Sequence, residues 1–112
     1  MAYETIKVAA PEPGITVITF ARPEVANALS TRMGRELLDV WSQLRADELL
    51  RCVILCGEGR HFQAGADLKE RNGMSDDAWA EQHRLFEAMI RAQLACPAPV
   101  IAAVQGAAMG GG

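Results

Sequence analysis

The sequence has no excess of positive charge and no long apolar run. Its 112 residues include 11 Lys and Arg against 14 Asp and Glu, which gives a formal net charge of −3. Nucleic-acid binding, which needs Lys and Arg concentrated on one face, is therefore not expected. No window approaches the roughly 18 consecutive apolar residues of a membrane span, and the first residues lack the pattern of a signal peptide. We expect a cytoplasmic protein that binds a small molecule, with neither nucleic acid nor membrane as a partner.

Cysteine and histidine are also scarce. The three cysteines, Cys52, Cys56 and Cys96, are an odd number at irregular positions. This argues against a disulfide framework and predicts free, mostly buried thiols. The two histidines, His61 and His83, lie apart from each other and from any pair of cysteines. We therefore expect no metal site, because a metal needs more ligands at short spacing.

The spacing of apolar residues predicts strands and helices that alternate along the chain. The first two strands are expected to pair as a hairpin, and each helix begins at a serine that can cap its first turn. Two later apolar runs predict buried strands, the first of them covered on both faces. The predicted elements are strands at 5–8 and 15–20, a helix at about 30–45, a strand at 52–56, a long helix from Ser75 to the residues before Pro97, and a strand at 100–104. The alternation indicates an α/β sheet protein whose ligand lies at the carboxyl ends of strands.

Each predicted helix carries an apolar stripe that we expect to be buried. In the first helix the stripe is Met33, Leu37, Trp41 and Leu44. In the second helix it is Trp79, Phe86, Met89 or Ile90, and Leu94.

Two glycine-containing segments, residues 62–70 and 104–112, each follow an apolar strand directly. Glycine lets backbone N–H groups approach an anion closely. If the segments lie side by side, the N–H groups of Ala66 and Gly111 could converge on a negative oxygen. Asp67 and Glu70 have the spacing of a capping box, in which Asp67 accepts from the backbone and Glu70 reaches back. We expect the second segment to lead into a helix beyond Gly112, so that residues 1–112 would be the front part of an enzyme.

Three motifs in order carry a family resemblance. They are Arg22-Pro23 to Asn27-Ala28-Leu29, the run from Phe62 to Glu70, and Pro99 to Gln105-Gly106 with the terminal Gly110-Gly111-Gly112. With them the chain resembles the N-terminal part of the crotonase (enoyl-CoA hydratase/isomerase) superfamily. The run 66–71 followed by Met74 looks most like the branch of enoyl-CoA hydratases and methylglutaconyl-CoA hydratases. The resemblance implies an α/β, crotonase-like fold of repeated β-β-α units in a spiral, with residues 1–112 as the N-terminal part of one core domain.

The resemblance also implies a site. In this family two backbone N–H groups, matched here by Ala66 and Gly111, hold the thioester carbonyl of an acyl-CoA. The implied CoA contacts are Val25, Ala26, Ala28, Ala64, Ala66, Asp67, Leu68, Lys69 and Gly110. A solvated surface position is an equally good interpretation of Lys69. No cofactor is implied, because acyl-CoA is the substrate.

The implied activity is that of a lyase, an enoyl-CoA hydratase that adds water across the α,β double bond of the thioester. The family's catalytic carboxylates are expected after residue 112, so the 112-residue chain alone is expected to be inactive. Ordinary packing or solvent exposure, rather than base catalysis, is the preferred interpretation of His61. The alternatives are enoyl-CoA isomerase, acyl-CoA hydrolase, or a fragment that only binds CoA or partner subunits. The full-length protein is expected to be a homotrimer or a dimer of trimers.

Overall fold

Residues 2–112, the part of the chain that the computed structural model describes, contain one four-stranded sheet with helices. The strands lie in the order β1-β2-β3-β4, with β1 antiparallel to β2 and the other neighbours parallel. The elements are β1 (Ile6–Glu12), β2 (Ile15–Phe20), a 3₁₀ turn (Pro23–Val25), α1 (Thr31–Arg45), β3 (Cys52–Gly57), α2 (Leu68–Arg71), α3 (Asp76–Leu94) and β4 (Val100–Ala102). The predicted α/β class and the β1–β2 hairpin are confirmed.

Helix α1 supplies more core residues than any other element. Its N-cap Ser30 accepts a hydrogen bond from the Met33 N–H, as the sequence predicts. All four residues of its predicted stripe are buried, and Trp41 is only 1% exposed. They pack on the sheet face that carries Ile18 and Val53, both fully buried. Each such side chain contributes about 2 kcal/mol when it leaves water, so this contact stabilises the fold.

Strand β1 is longer than the sequence predicts, because it continues through Pro11 to Glu12. Proline lacks the N–H that a central strand would need, but β1 is an edge strand. Its pairing with β2 is irregular between Ala9 and Glu12, which accommodates Pro11. The prediction that the first strand ends at residue 8 was therefore wrong.

Strands β3 and β4 are less buried than predicted. In β3 the side chains of Val53 and Leu55 are buried, while those on the other face are only half-buried, so within residues 2–112 the strand is covered on one face. Strand β4 is an edge strand of three residues, and its Ile101 is 54% exposed. The prediction of a buried strand at 100–104 was wrong. The three cysteines are free but half-buried rather than mostly buried.

Helix α3 begins at the predicted cap Ser75, but its predicted stripe is confirmed only in part. Phe86 is half-buried against the core. Met89 is buried, whereas Trp79 and Leu94 are 48% and 78% exposed. Helix α3 packs chiefly on α1, at Gly34, where an added Cβ would lie 2.7 Å from the Phe86 ring. A contact with one helix buries a narrower stripe than a contact with a sheet. At 19 residues α3 is the longest helix, yet no helix within residues 2–112 has the length and apolarity needed to cross a membrane.

Candidate active site

The two glycine segments lie side by side at one edge of the sheet. The first glycine segment (62–70) follows β3 and the second glycine segment (104–112) follows β4, and these strands are parallel neighbours. The Phe62 N–H donates to the Gln105 carbonyl at 2.8 Å, and the Met109 N–H donates to the Gln63 carbonyl at 3.0 Å. At Gly65 an added Cβ would lie 2.7 Å from the Met109 carbonyl oxygen, so the two backbones are in contact. The structure therefore brings together the two segments that the sequence singled out.

The backbone of Ala66 is held on one side only. Leu29 and Ala66 form a parallel bridge, in which the Leu29 N–H donates to the Gly65 carbonyl at 2.7 Å and the Asp67 N–H donates to the Leu29 carbonyl at 2.9 Å. In parallel pairing the bridged residue's own N–H points to the opposite side. Within residues 2–112 the Ala66 N–H donates no backbone hydrogen bond. It is available to an external acceptor.

Gly111 offers a second unpaired donor. It lies in a turn closed by a 2.8 Å hydrogen bond from the Gly112 N–H to the Met109 carbonyl, with Gly110 at a φ of +55°. The Gly111 N–H likewise makes no backbone hydrogen bond in the described part of the chain. Both unpaired N–H groups therefore belong to adjoining segments. That they converge on one oxygen stays a prediction.

Asn27 anchors the loop before α1 beneath the first glycine segment. Ala26 and Asn27 both have left-handed backbones, with φ of 54° and 57°, and Asn27 is fully buried. The Asn27 side-chain amide donates to the carbonyls of Glu58 at 2.9 Å and His61 at 2.8 Å, and its oxygen accepts from the Arg22 N–H. Asn27 lies within one of the family motifs, but the sequence alone did not predict these contacts. The only signal in the sequence was that asparagine tolerates a left-handed backbone.

Asp67 is a charged cap at the start of α2. Its Oδ1 accepts from the Lys69 and Glu70 N–H groups at 3.1 and 3.2 Å, and its Oδ2 lies 3.2 Å from the Arg22 guanidinium. Burial alone would raise the pKa of Asp67, but the hydrogen bonds from the Glu70 N–H and Arg22 outweigh it and hold the pKa below its ordinary value. Arg22 also donates to the Ala28 carbonyl at 2.6 Å. One ion pair thus joins the loop before α1 to the first glycine segment.

Glu70 does not complete the predicted capping box. Its Oε1 accepts from the Thr31 N–H and from the Gln82 side-chain amide, both at 2.9 Å, instead of reaching back to the residue 67 backbone. Gln82 is 2% exposed and also accepts from Arg71 Nε at 3.0 Å. These side chains tie α2 to α1 and α3. The burial of Gln82 was not predicted, because the spacing of apolar residues does not mark a buried polar residue.

His61 contacts the second glycine segment. Its Nδ1 accepts a hydrogen bond from the Ala107 N–H at 2.9 Å, and its ring is half-buried. This contact of His61 was not predicted from the sequence. Within residues 2–112, no group of three or more His, Cys, Asp or Glu side chains could hold a metal ion.

The residues predicted to contact CoA share one edge of the fold. The Ala64 N–H donates to the Ala26 carbonyl at 3.0 Å, which joins the two stretches in which most of them lie. Ala28 is buried, so its side chain faces the core. The exposed members are Val25, Ala64, Leu68, Lys69 and Gly110. The side chain of Lys69 is solvent-facing, which is compatible with either interpretation of this residue.

Residues 11–112 match the family model described as enoyl-CoA hydratase/isomerase. The Bacillus subtilis protein YngF, which its name assigns to enoyl-CoA hydratases/isomerases, is 43% identical over 99 residues, covering 88% of this chain and 38% of YngF. The 1,2-epoxyphenylacetyl-CoA isomerase of Escherichia coli is 36% identical over 105 residues, covering 90% of this chain and 40% of that protein.

Solved structures give the same result for the fold. The crystal structure of an enoyl-CoA hydratase from Bacillus anthracis superposes with a TM-score of 0.92 at 36% identity, over 97% of this chain and 43% of that chain. The present chain therefore spans about two fifths of the length of these proteins and corresponds to their N-terminal part. The predicted family and crotonase-like fold are confirmed.

Proposed function

Because the chain belongs to the enoyl-CoA hydratase/isomerase family, we propose that it forms the N-terminal part of the active site of an enoyl-CoA hydratase. The Ala66 and Gly111 N–H groups would bind the thioester oxygen of an acyl-CoA. The observation that carries this proposal is that both donors are unpaired within residues 2–112 while their segments are in contact. Backbone donors held by a folded scaffold need no reorganisation when charge develops on their ligand.

The proposed chemistry makes use of that charge. When the oxygen of water bonds to the β-carbon of the enoyl thioester, the electron pair of the double bond moves to form an enolate, and negative charge gathers on the thioester oxygen. The enolate then takes a proton at the α-carbon. Each backbone donor at that oxygen contributes about 3 kcal/mol of transition-state stabilisation. The carboxylates that would handle the water's protons are proposed to lie outside residues 1–112.

The CoA moiety is proposed to run along the edge formed by Val25, Ala26 and Ala28 and by the stretch 64–69. Backbone groups would make most of the contacts, with Gly110 close to the thioester. Lys69, at the exposed start of α2, would supply a cation for a phosphate group. No further cofactor is proposed, because the acyl-CoA is itself the substrate.

Isomerisation and thioester hydrolysis are the alternative reactions, since both can use the same pair of donors. The E. coli relative is named as an isomerase, which is a specific reason to keep isomerisation as the second candidate. A fragment that binds only CoA or partner subunits is the third. For the full-length protein we propose a cytoplasmic homotrimer or dimer of trimers.

The first experiment pairs the intact mass of the purified protein with the hydration of crotonyl-CoA, followed as the loss of absorbance from the conjugated thioester. A mass well above that of 112 residues together with turnover supports the proposal. Analysis of the product then separates the reactions, because hydration adds one water, isomerisation leaves the mass unchanged and hydrolysis releases free CoA. A mass near 12 kDa without turnover would favour the inactive fragment.

The assignment of Ala66 is tested by removing its N–H. In the full-length enzyme, Ala66→Pro should lower kcat by roughly two to three orders of magnitude, as the loss of one such donor does elsewhere. Ala66→Gly keeps the N–H and should lose far less. Both variants are compared by thermal unfolding, so that a folding defect is recognised. A folded Ala66→Pro variant with the wild-type rate would contradict the assignment.

A further inference from the structure

The two glycine segments are paired with one extra residue in the second. The Phe62 N–H donates to the Gln105 carbonyl, and the next N–H, that of Gln63, donates to the Ala107 carbonyl at 3.2 Å. In a regular parallel pair both strands advance by the same number of residues between such bonds. Here one step along the first segment matches two steps along the second. Gly106, at a φ of +59°, is the extra residue of a bulge.

The bulge leaves the Ala107 N–H without a backbone acceptor. The nearby Phe62 carbonyl accepts from a different donor, the Asn27 side chain, at 3.2 Å. The Ala107 N–H donates to His61 Nδ1 at 2.9 Å, which requires that this nitrogen be unprotonated. The packing is close, because a Cβ at Gly106 would lie 2.2 Å from the Arg60 carbonyl oxygen and 2.6 Å from His61 Nδ1. The imidazole thus takes the place of the missing ladder carbonyl.

We propose that His61 is a positioning residue for the oxyanion donor Gly111, acting through the hydrogen bond from Ala107 to its Nδ1. This inference rests on the proposed function. Gly111 follows Ala107 by four residues and is linked to it through the Met109–Gln63 pairing. Without an acceptor for the Ala107 N–H, only the bonds from Phe62 to Gln105 and from Gln63 to Ala107 hold the bulge at Gly106, and the latter is long at 3.2 Å. A slip of one residue moves the chain by about 3.3 Å, which exceeds the tolerance of a hydrogen bond.

Two amide substitutions separate this role from general packing. In His61→Asn the side-chain oxygen can occupy the place of Nδ1, whereas in His61→Gln the oxygen lies one bond further out, near the place of Nε2. In the full-length enzyme, we expect His61→Gln to lower kcat about tenfold, the equivalent of one lost hydrogen bond, with KM changed less than about twofold. His61→Asn should stay within about threefold of wild type, since one acceptor replaces another. The matched control is His83→Gln, at an exposed position on α3.

The effect is expected on kcat because the Gly111 N–H acts mainly on the charged enolate. A misplaced Gly111 N–H weakens binding to the enolate more than binding to the uncharged thioester. Equal kcat values for His61→Asn and His61→Gln would overturn the proposal, as would a fall confined to KM.

A readout independent of activity keeps this test separate from the proposed function. Nitrogen NMR of the wild-type protein at about pH 8, where an ordinary imidazole is neutral, should show an unprotonated Nδ1 and a protonated Nε2 at His61. Amide exchange at Ala107 should be slow in wild type and His61→Asn and faster in His61→Gln. If no acyl-CoA turns over but these signatures hold, the proposed function fails and the role of His61 in the loop stands. A proton on Nδ1 in the wild type, which needs no variant to fold, would overturn the proposal.

Discussion

Asn27 combines a left-handed backbone with complete burial, and its side-chain nitrogen serves three carbonyl oxygens of residues 58, 61 and 62. We predict that Asn27→Ala lowers the free energy of unfolding by about 3 kcal/mol, because it leaves these carbonyl oxygens without their hydrogen-bond donor. Asn27→Gly should be less damaging, by up to about 1 kcal/mol, since glycine accepts the left-handed backbone without a Cβ. Urea unfolding measures both effects.

The control for this prediction is Asn72→Ala, at an exposed position at the end of α2. It should change the free energy of unfolding by less than about 0.5 kcal/mol. A similar value for Asn27→Ala would mean that the three carbonyls find other donors.

Glu36 makes the stability of the fold sensitive to acid. Its carboxylate accepts from the Thr5 hydroxyl at 2.6 Å, from the Thr5 and Glu4 N–H groups at 2.8 and 2.9 Å, and from Arg32 at 3.4 Å. Burial alone would raise the pKa of Glu36, but the hydrogen bond from the Thr5 hydroxyl and the other donors lower it below the ordinary value. A lowered pKa means that the stabilisation is present above the unfolded pKa, near 4, and is lost as the pH falls through the folded pKa.

We therefore predict that the wild-type protein loses stability between about pH 5 and pH 3, and that Glu36→Gln loses less over the same interval. Urea unfolding at several pH values measures the two slopes. Glu12→Gln, at an exposed position in β1, is the control and should keep the wild-type slope. Equal slopes for wild type and Glu36→Gln would show that the carboxylate does not carry the effect.

At the scale of elements, α2 depends on side chains outside it. It has four residues, too few to be stable alone, and Gln82 of α3 contacts Glu70 and Arg71 at 2.9 and 3.0 Å. We predict that Gln82→Ala speeds amide exchange in residues 68–71 about tenfold or more while exchange in β3 changes little. Gln43→Ala, on the exposed side of α1, is the matched control. Unchanged exchange in α2 would contradict the prediction.

The elements also show which parts of the molecule could be predicted. Serine caps and apolar spacing predicted α1 and the start of α3, because these signals are local. The stripe of α3 was wrong at Trp79 and Leu94, since burial there depends on a second helix crossing at Gly34. The glycine segments were found because glycines that directly follow an apolar strand are visible in the sequence itself. The side-chain hydrogen bonds of His61, Asn27 and Gln82 could not be predicted, because each joins residues that are distant in sequence and follows no periodic pattern.

At the scale of the whole molecule, residues 2–112 leave several large apolar side chains exposed. They include Trp79, Leu94, Ile101, Val104 and Met109. Strand β4 is an open edge that carries one of them, Ile101. Exposed strand edges with apolar side chains favour association with other chains.

We predict that a polypeptide of residues 1–112 self-associates at micromolar concentration, and that Ile101→Lys reduces this, because a charge on an edge strand opposes pairing. Sedimentation velocity over a concentration series measures the effect. Leu49→Lys is the control, since Leu49 is 81% exposed but lies in a turn away from the sheet edge. A monomer at every concentration would contradict the prediction.

The contact between His61 and Ala107 has a consequence for the order of events in folding. These residues are 46 positions apart, and His61 is 34 positions from Asn27. Contacts that close such long loops lose chain entropy before they return any stabilisation, so they form late. The hairpin and α1 can form from neighbouring residues, whereas the paired glycine segments require β3, α3 and β4 to be in place first. We therefore expect the site to be among the last parts of residues 1–112 to assemble.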